Sequence, residues 1–169
     1  DSITTIAEDA FVSCKALQSF TLSPNHPYFF LADGALCRTV DKTLLFYPNA
    51  RENRTYRIPD GIAAISAYPF YACDLLESVV IPDSITQIPE RAFYDCSALA
   101  SVSLPDSLTE IGIAAFSFCA ALTDIRLPAS ITEISAGLFS GCSSLATLEI
   151  PDSVTIIGGD AFVGCTSLT

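Results

Sequence analysis

The side chains best equipped for chemistry in this chain are its seven cysteines. Six of them, Cys14, Cys73, Cys96, Cys119, Cys142 and Cys165, share one register, and the last five stand 23 residues apart. Stacked strands lie about 5 Å apart, so such a ladder allows either disulfides between copies or buried thiols packed against a neighbouring apolar column. A bridge would have to replace the packing that sets the spacing, and the thiol count is odd, so reduced cysteines are expected. Metal ligation is poorly served, because the only histidine is His26 and no C-x-x-C pair occurs. Cys37 lies off the ladder, and a Cys37–His26 nucleophile pair has no third group to orient the base. Asp60, Asp83, Asp106 and Asp152 make an acidic column of the kind in which neighbouring copies can share calcium, but Ala129 interrupts it. Turn-capping side chains are the ordinary reading of these aspartates. Asn53-Arg54-Thr55 has the glycosylation acceptor pattern. No acid, base and nucleophile converge, so no enzyme activity, cofactor or metal is expected.

What positions these residues is a repeat. Pro59, Pro82, Pro105, Pro128 and Pro151 keep the 23-residue step, as do Phe70, Phe93, Phe116, Phe139 and Phe162, and Leu76, Leu99, Leu122, Leu145 and Leu168. One unit of this length cannot bury its own apolar side and must stack on its neighbours, which makes a solenoid. Alternation in Ser101-Val102-Ser103-Leu104 and Asp124-Ile125-Arg126-Leu127 predicts a short strand with one side inward. Proline ends that strand, and the following Asp-Ser supplies turn chemistry. The segment around Ala-Phe, as in Pro89-Glu90-Arg91-Ala92-Phe93-Tyr94, lacks alternation and predicts one or two helical turns on the opposite side.

The copies read Pro-Asp-Ser-Ile-Thr-x-Ile-x-x-x-Ala-Phe-x-x-Cys-x-x-Leu-x-x-Val-x-Leu, and this pattern resembles the BspA-like class of leucine-rich repeat. Residues 58–168 match closely. A first copy, residues 2–22, matches through Ile3, Thr4, Ile6, Ala10, Phe11, Cys14, Leu17 and Leu22, with Ser23 in place of the proline. Between them lies an insertion in residues 23–58, about 36 residues longer than the period allows, given the 59-residue step from Cys14 to Cys73. Asp33-Gly34 between apolar runs is a strong hairpin cue and Asp41-Lys42 a weaker one, predicting a small meander. The resemblance extends to the insertion, with its Leu44-Leu45-x-Tyr47-Pro48 exit. The expectation is therefore an α/β solenoid over residues 1–169. It is a right-handed leucine-rich-repeat horseshoe segment with a parallel concave sheet, short convex helical turns, an inserted β-meander, and regular repeats over residues 59–169.

Formal charge is −11 with only eight Lys and Arg, which argues against nucleic acid and anionic membranes. No apolar run approaches the roughly 20 residues needed to span a bilayer. Terminal repeats normally carry capping sequences and neither end does, so a segment of a longer protein is expected, with any signal or anchor outside it. The resemblance implies a non-enzymatic recognition or adhesion module, secreted or on a cell surface, monomeric, with a host or extracellular-matrix protein as partner. A structural spacer with no ligand of its own is the alternative. Outward strand positions carry Arg54, Arg57 and Arg126 against Glu77, Asp124 and Glu149, and no aromatic residue. The insertion supplies Tyr28, Phe29, Phe30, Phe46 and Tyr47, mostly as its own core. The partner site is accordingly expected where the insertion meets the concave face: Arg54 and Arg57 meeting Glu77, with Tyr28, Phe29 and Tyr47 as aromatic anchors.

Overall fold

A computed structural model describes residues 2–169. Each regular coil has three sides. The first is an extended segment whose middle side chain points inward; it forms a strand in β4 (Thr55–Arg57), β6 (Ser78–Val80) and β8 (Ser101–Ser103). Residues 124–127, expected as a strand from their alternation, are not one although Ile125 is still buried, and neither are residues 147–149. The three strands pair in parallel, and Tyr56, Val79 and Val102 line up in register as the inward row. The proline two residues beyond each strand has no N–H to extend the ladder. The serine after Pro-Asp then ties the corner to the coil before it: Ser84 Oγ donates to the Ile62 carbonyl at 2.7 Å and Ser153 Oγ to the Ile131 carbonyl at 2.7 Å.

The second side is a row of short strands that pair in parallel, β7 with β9 and β10 with β11, and that the sequence pattern does not announce. Its strands are β5 (Ala64–Ile65), β7 (Gln87–Ile88), β9 (Glu110–Ile111), β10 (Glu133–Ile134) and β11 (Ile156–Ile157). Here the backbones of neighbouring coils approach closely. A Cβ on Gly112 would lie 2.6 Å from the Glu90 nitrogen, so only glycine fits without a backbone shift.

The third side corrects an expectation, because the turns around Ala-Phe are not helical. Two positions in every regular coil have left-handed φ. One is the column Tyr68, Arg91, Ala114, Gly137 and Asp160; the other is Ala72, Asp95, Phe118, Gly141 and Gly164. Residues four apart in that conformation cannot lie in one right-handed helix. The freed N–H groups bond to the next coil instead: Phe93 to the Ala115 carbonyl at 2.8 Å, Asp95 to Ser117 at 2.8 Å, and Phe116 to Leu138 at 3.1 Å. The architecture is a β-solenoid with cross-coil hydrogen bonds on all three sides.

Phenylalanine fills the interior. Phe70, Phe93, Phe116, Phe139 and Phe162 stack with centroid separations of 4.8, 5.3, 6.0 and 5.9 Å and nearly parallel planes. The first four are wholly buried, while Phe162 in the last coil is partly exposed. Burying one such ring contributes on the order of 1.5 to 3 kcal/mol.

The insertion is a meander, as its turn residues predict. β1 (Phe29–Ala32) and β2 (Ala35–Arg38) pair antiparallel around Asp33-Gly34, both with positive φ, and β2 pairs antiparallel with β3 (Thr43–Phe46). β3 then pairs in parallel with β5, so the meander extends the second side rather than standing off the surface. Both of its faces are buried. Ala32, Ala35, Cys37 and Leu44 join the main core, while Phe29, Leu36, Leu45 and Phe46 form a separate core with Ile6, Phe11, Phe20 and Leu22 of the first copy. The sheet is thus an internal wall, and Phe11 meets Phe46 edge-on at 4.9 Å instead of continuing the stack.

Candidate functional site

The first sheet presents an open strand face. Its outward residues run Thr55 and Arg57, Ser78 and Val80, Ser101 and Ser103, with Ser101 Oγ donating to Ser78 Oγ at 3.0 Å. Arg54 and Arg57 rise from this face with side chains 64 % and 61 % exposed. Arg54 pairs with Glu77 on the next coil, as expected. Arg57 does not: its guanidinium reaches Asp60 at 3.1 Å, because that carboxylate follows in the same turn. Exposed pairs of this kind are worth about 0 to 1 kcal/mol, so the guanidinium groups stay available to another carboxylate.

The aromatic candidates separate by burial. Tyr28 is 45 % exposed, beside the His26 ring, whose Nδ1 accepts the Tyr28 and Phe29 backbone N–H groups at 3.3 Å. Phe29 and Tyr47 are core residues and are corrected as anchors. Phe29 fills the smaller core, and Tyr47 packs on Tyr56 at 4.7 Å and Phe70 at 5.4 Å. Tyr47 sits 23 residues before Phe70, so it continues the phenylalanine column into the inserted coil. The hairpin tip packs against the inner side of the arginine strand. The Tyr56 hydroxyl donates to the Ala32 carbonyl at 2.9 Å, and Arg51 holds the Asp33 carboxylate at 3.1 Å. Tyr28 stands at the opposite end of β1, on the other sheet.

All seven cysteines are free thiols. The column has a specific use, because in four of its six members the Sγ–H donates to the phenylalanine carbonyl of the coil before it: Cys96 to Phe70 at 2.9 Å, Cys119 to Phe93 at 3.2 Å, Cys142 to Phe116 at 3.1 Å and Cys165 to Phe139 at 3.1 Å. Burial drives the Cys73 and Cys119 thiols well above their ordinary value and pushes Cys37 and Cys142 up to about 12. Such thiols are packing groups rather than nucleophiles. Cys14 is exposed, unlike its column mates. Asp60, Asp83, Asp106 and Asp152 all face solvent, with Asp106 held by Arg126 at 3.0 Å. Among the described residues, no group of three or more His, Cys, Asp or Glu side chains is placed to hold a metal ion.

Sequence reasoning does not single out Tyr68, Tyr71 and Tyr94, which cluster on the third side of the coils. Tyr71 and Tyr94 stack at 5.1 Å, and Tyr68 tilts against Tyr71 at 6.1 Å. The available signal is tyrosine directly after the column phenylalanine in two successive copies.

A solenoid with one inward strand residue, a phenylalanine stack and an open strand face is a leucine-rich-repeat array. The BspA-type leucine-rich repeat region matches this chain in six copies over residues 1–30 and 45–169, and the chain belongs to that family. The unmatched residues are 31–44, the hairpin tip through to the start of β3. A leucine-rich cell surface protein from Faecalibacterium prausnitzii is 36 % identical with a TM-score of 0.89, over 95 % of this chain and 42 % of that one. The T. pallidum leucine-rich repeat protein is 30 % identical with a TM-score of 0.68, over 88 % of this chain and 70 % of its own. A Bacteroides ovatus leucine-rich repeat protein is 30 % identical with a TM-score of 0.64, over 73 % and 40 % of the two chains. This chain spans well under half the length of the first of these. No curated protein matches it.

Proposed function

We propose that the array is a non-enzymatic protein-recognition module of a secreted or cell-surface protein, and that adhesion to a host or matrix protein is its use. The observation that carries the reading is the open strand face, whose exposed arginines rise from a parallel sheet braced from behind by the phenylalanine stack. A rigid platform of this kind loses little conformational entropy on binding. The surface description of the Faecalibacterium prausnitzii relative supports the location. Recognition centres on Arg54, Arg57 and Glu77 in front of the hairpin tip, with Tyr28 outside the patch.

The experiment is surface plasmon resonance against a panel of extracellular-matrix proteins. A ligand found there should bind about tenfold or more weakly when Arg54 and Arg57 are both replaced by alanine, as at a hot spot. Unchanged affinity would place the site elsewhere. The strand face carries no aromatic residue, which favours a spacer as the second reading, and failure to bind any panel member is the result that supports it.

A further inference from the structure

On the third side of the coils, away from the strand face, Glu8, Asp9 and Val12 of the first copy face Tyr68, Tyr71, Arg91 and Tyr94 across a depression of about 540 Å³. Its origin lies in the insertion. In the column that runs through Val12, Tyr71 and Tyr94, the intervening coil carries Pro48, which is buried, as is its neighbour Asn49. The Asn49 amide donates to the Tyr71 and Ala72 carbonyls and is drawn inward. The tyrosine rings therefore border a notch instead of covering a neighbour.

Charge is unbalanced around that notch. Glu8, Asp9, Asp74, Glu90 and Asp95 outnumber the cations near them, Lys15, Arg91 and Arg38, and Arg38, which feels the Glu8 charge, is hydrogen-bonded to Asp41. Lys15 is held by Asp74 at 3.2 Å and reaches Asp95 at 4.0 Å. Arg91 pairs with Glu90 and donates to the Tyr68 hydroxyl at 3.2 Å, which braces that ring. Glu8 and Asp9 form no ion pair among the described residues, and the chain as a whole carries −11. Aromatic faces beside uncompensated carboxylates attract a cation twice over, through the ring quadrupole and through direct charge.

We propose that this notch receives a lysine or arginine side chain from a basic segment of a partner protein. The acidity of the array steers such a segment in, and the tyrosines and the Glu8–Asp9 pair seat the cationic head while its alkyl stem lies along Val12. The site is separate from the strand face, so either can fail without the other.

The test is isothermal titration calorimetry at low ionic strength with a peptide of alternating glycine and lysine, run beside its Nε-acetylated form. The lysine peptide should bind and the acetylated peptide should not. Tyr71→Ala with Tyr94→Ser should weaken binding about fivefold; Ser117 already occupies the latter column. Glu8→Gln with Asp9→Asn, both exposed and without packing roles, should weaken it about threefold or more. Asp83→Asn with Asp152→Asn removes the same charge from another corner and should change affinity less than twofold. An equal loss in that control would reduce the effect to diffuse acidity and overturn the site. Equal binding of the acetylated peptide, or binding of a neutral oligosaccharide with the same tyrosine dependence, would overturn the cationic ligand.

Discussion

The regular coils and the inserted wall solve one problem in opposite ways. From residue 59 onward the phenylalanine, cysteine and leucine columns repeat one residue type and the other interior columns vary mostly among apolar residues, so stability is a sum of similar coil-to-coil terms. The wall is heterogeneous: β1, β2 and β3 bury different residues on their two faces, and each face belongs to a different core. The first arrangement gives a uniform surface whose sites repeat. The second breaks periodicity, and both candidate sites, the arginine pair in front of the hairpin tip and the tyrosine notch, lie where it does so. Function in such an array is placed by its irregularities.

The largest expected effect probes the regular side of this comparison. Phe116→Ala removes a wholly buried ring stacked at 5.3 and 6.0 Å and should cost about 3 to 5 kcal/mol in urea denaturation. Phe11→Ala, at a partly exposed ring in the smaller core, should cost less than half as much. Equal losses would mean that the wall couples the two cores into one unit, and the contrast would dissolve.

The regular coils were also the more legible in sequence. The phenylalanine, leucine and cysteine columns predict the core directly, and alternation predicts the strand at Ser101–Ser103 but also one at residues 124–127 that does not form. The second side escapes because its strands are two residues long, too short to show a period. Left-handed turns escape because glycine takes those columns only at Gly137, Gly141 and Gly164, while Arg91, Asp95 and Phe118 hold the same conformation with ordinary side chains. In the insertion, Asp33-Gly34 reveals the hairpin, but nothing local says that β3 will join β5 in parallel. That long-range pairing is what buries Phe29 and Tyr47. The aromatic anchors read from composition were therefore mostly core, whereas the Arg54–Glu77 contact, set by the repeat step alone, was read correctly.

Cysteine chemistry sharpens the comparison at the next level. Iodoacetamide at pH 8 should label Cys14 in the native protein and leave Cys37, Cys73, Cys119 and Cys142 unmodified, with all seven reacting after denaturation. Loss of two or more labels in the denatured, unreduced protein would reveal disulfides. Stability should follow the same groups. The folded values of Cys37, Cys73, Cys119 and Cys142 lie above the ordinary 9.0, with Cys37 and Cys142 near 12, so their stabilisation is complete below about pH 9 and disappears as pH rises towards 12. Cys142→Ala should flatten that alkaline loss in the regular coils, and Cys37→Ala in the wall.

A smaller effect belongs to the wall alone. Hydrogen bonds from Arg38 hold the Asp41 carboxyl down at about 2, against an ordinary 3.8. A lowered folded value contributes stability above about pH 4 that is lost as pH falls towards 2. Both side chains are exposed, so the gain is discounted to a few tenths of a kcal/mol. Acid titration of Asp41→Asn should show a correspondingly shallower loss than the parent chain, and identical acid limbs would remove the pair from the account.

The smallest effect tests why the third side is not helical. Ala114 has φ of 53° in a column where Gly137 has 63°. An alanine in left-handed conformation carries strain of roughly 1 kcal/mol that glycine lacks, partly offset by glycine's greater freedom when unfolded. A Cβ on Gly137 meets only the Ala114 Cβ, at 3.8 Å, so Ala114 contributes little packing to the next coil. Ala114→Gly should therefore raise stability by about 0.5 kcal/mol, visible as a small increase in denaturation midpoint, and Gly137→Ala should lower it by a similar or larger amount. Were the turns helical, both signs would reverse, since glycine inside a helix is the weaker residue.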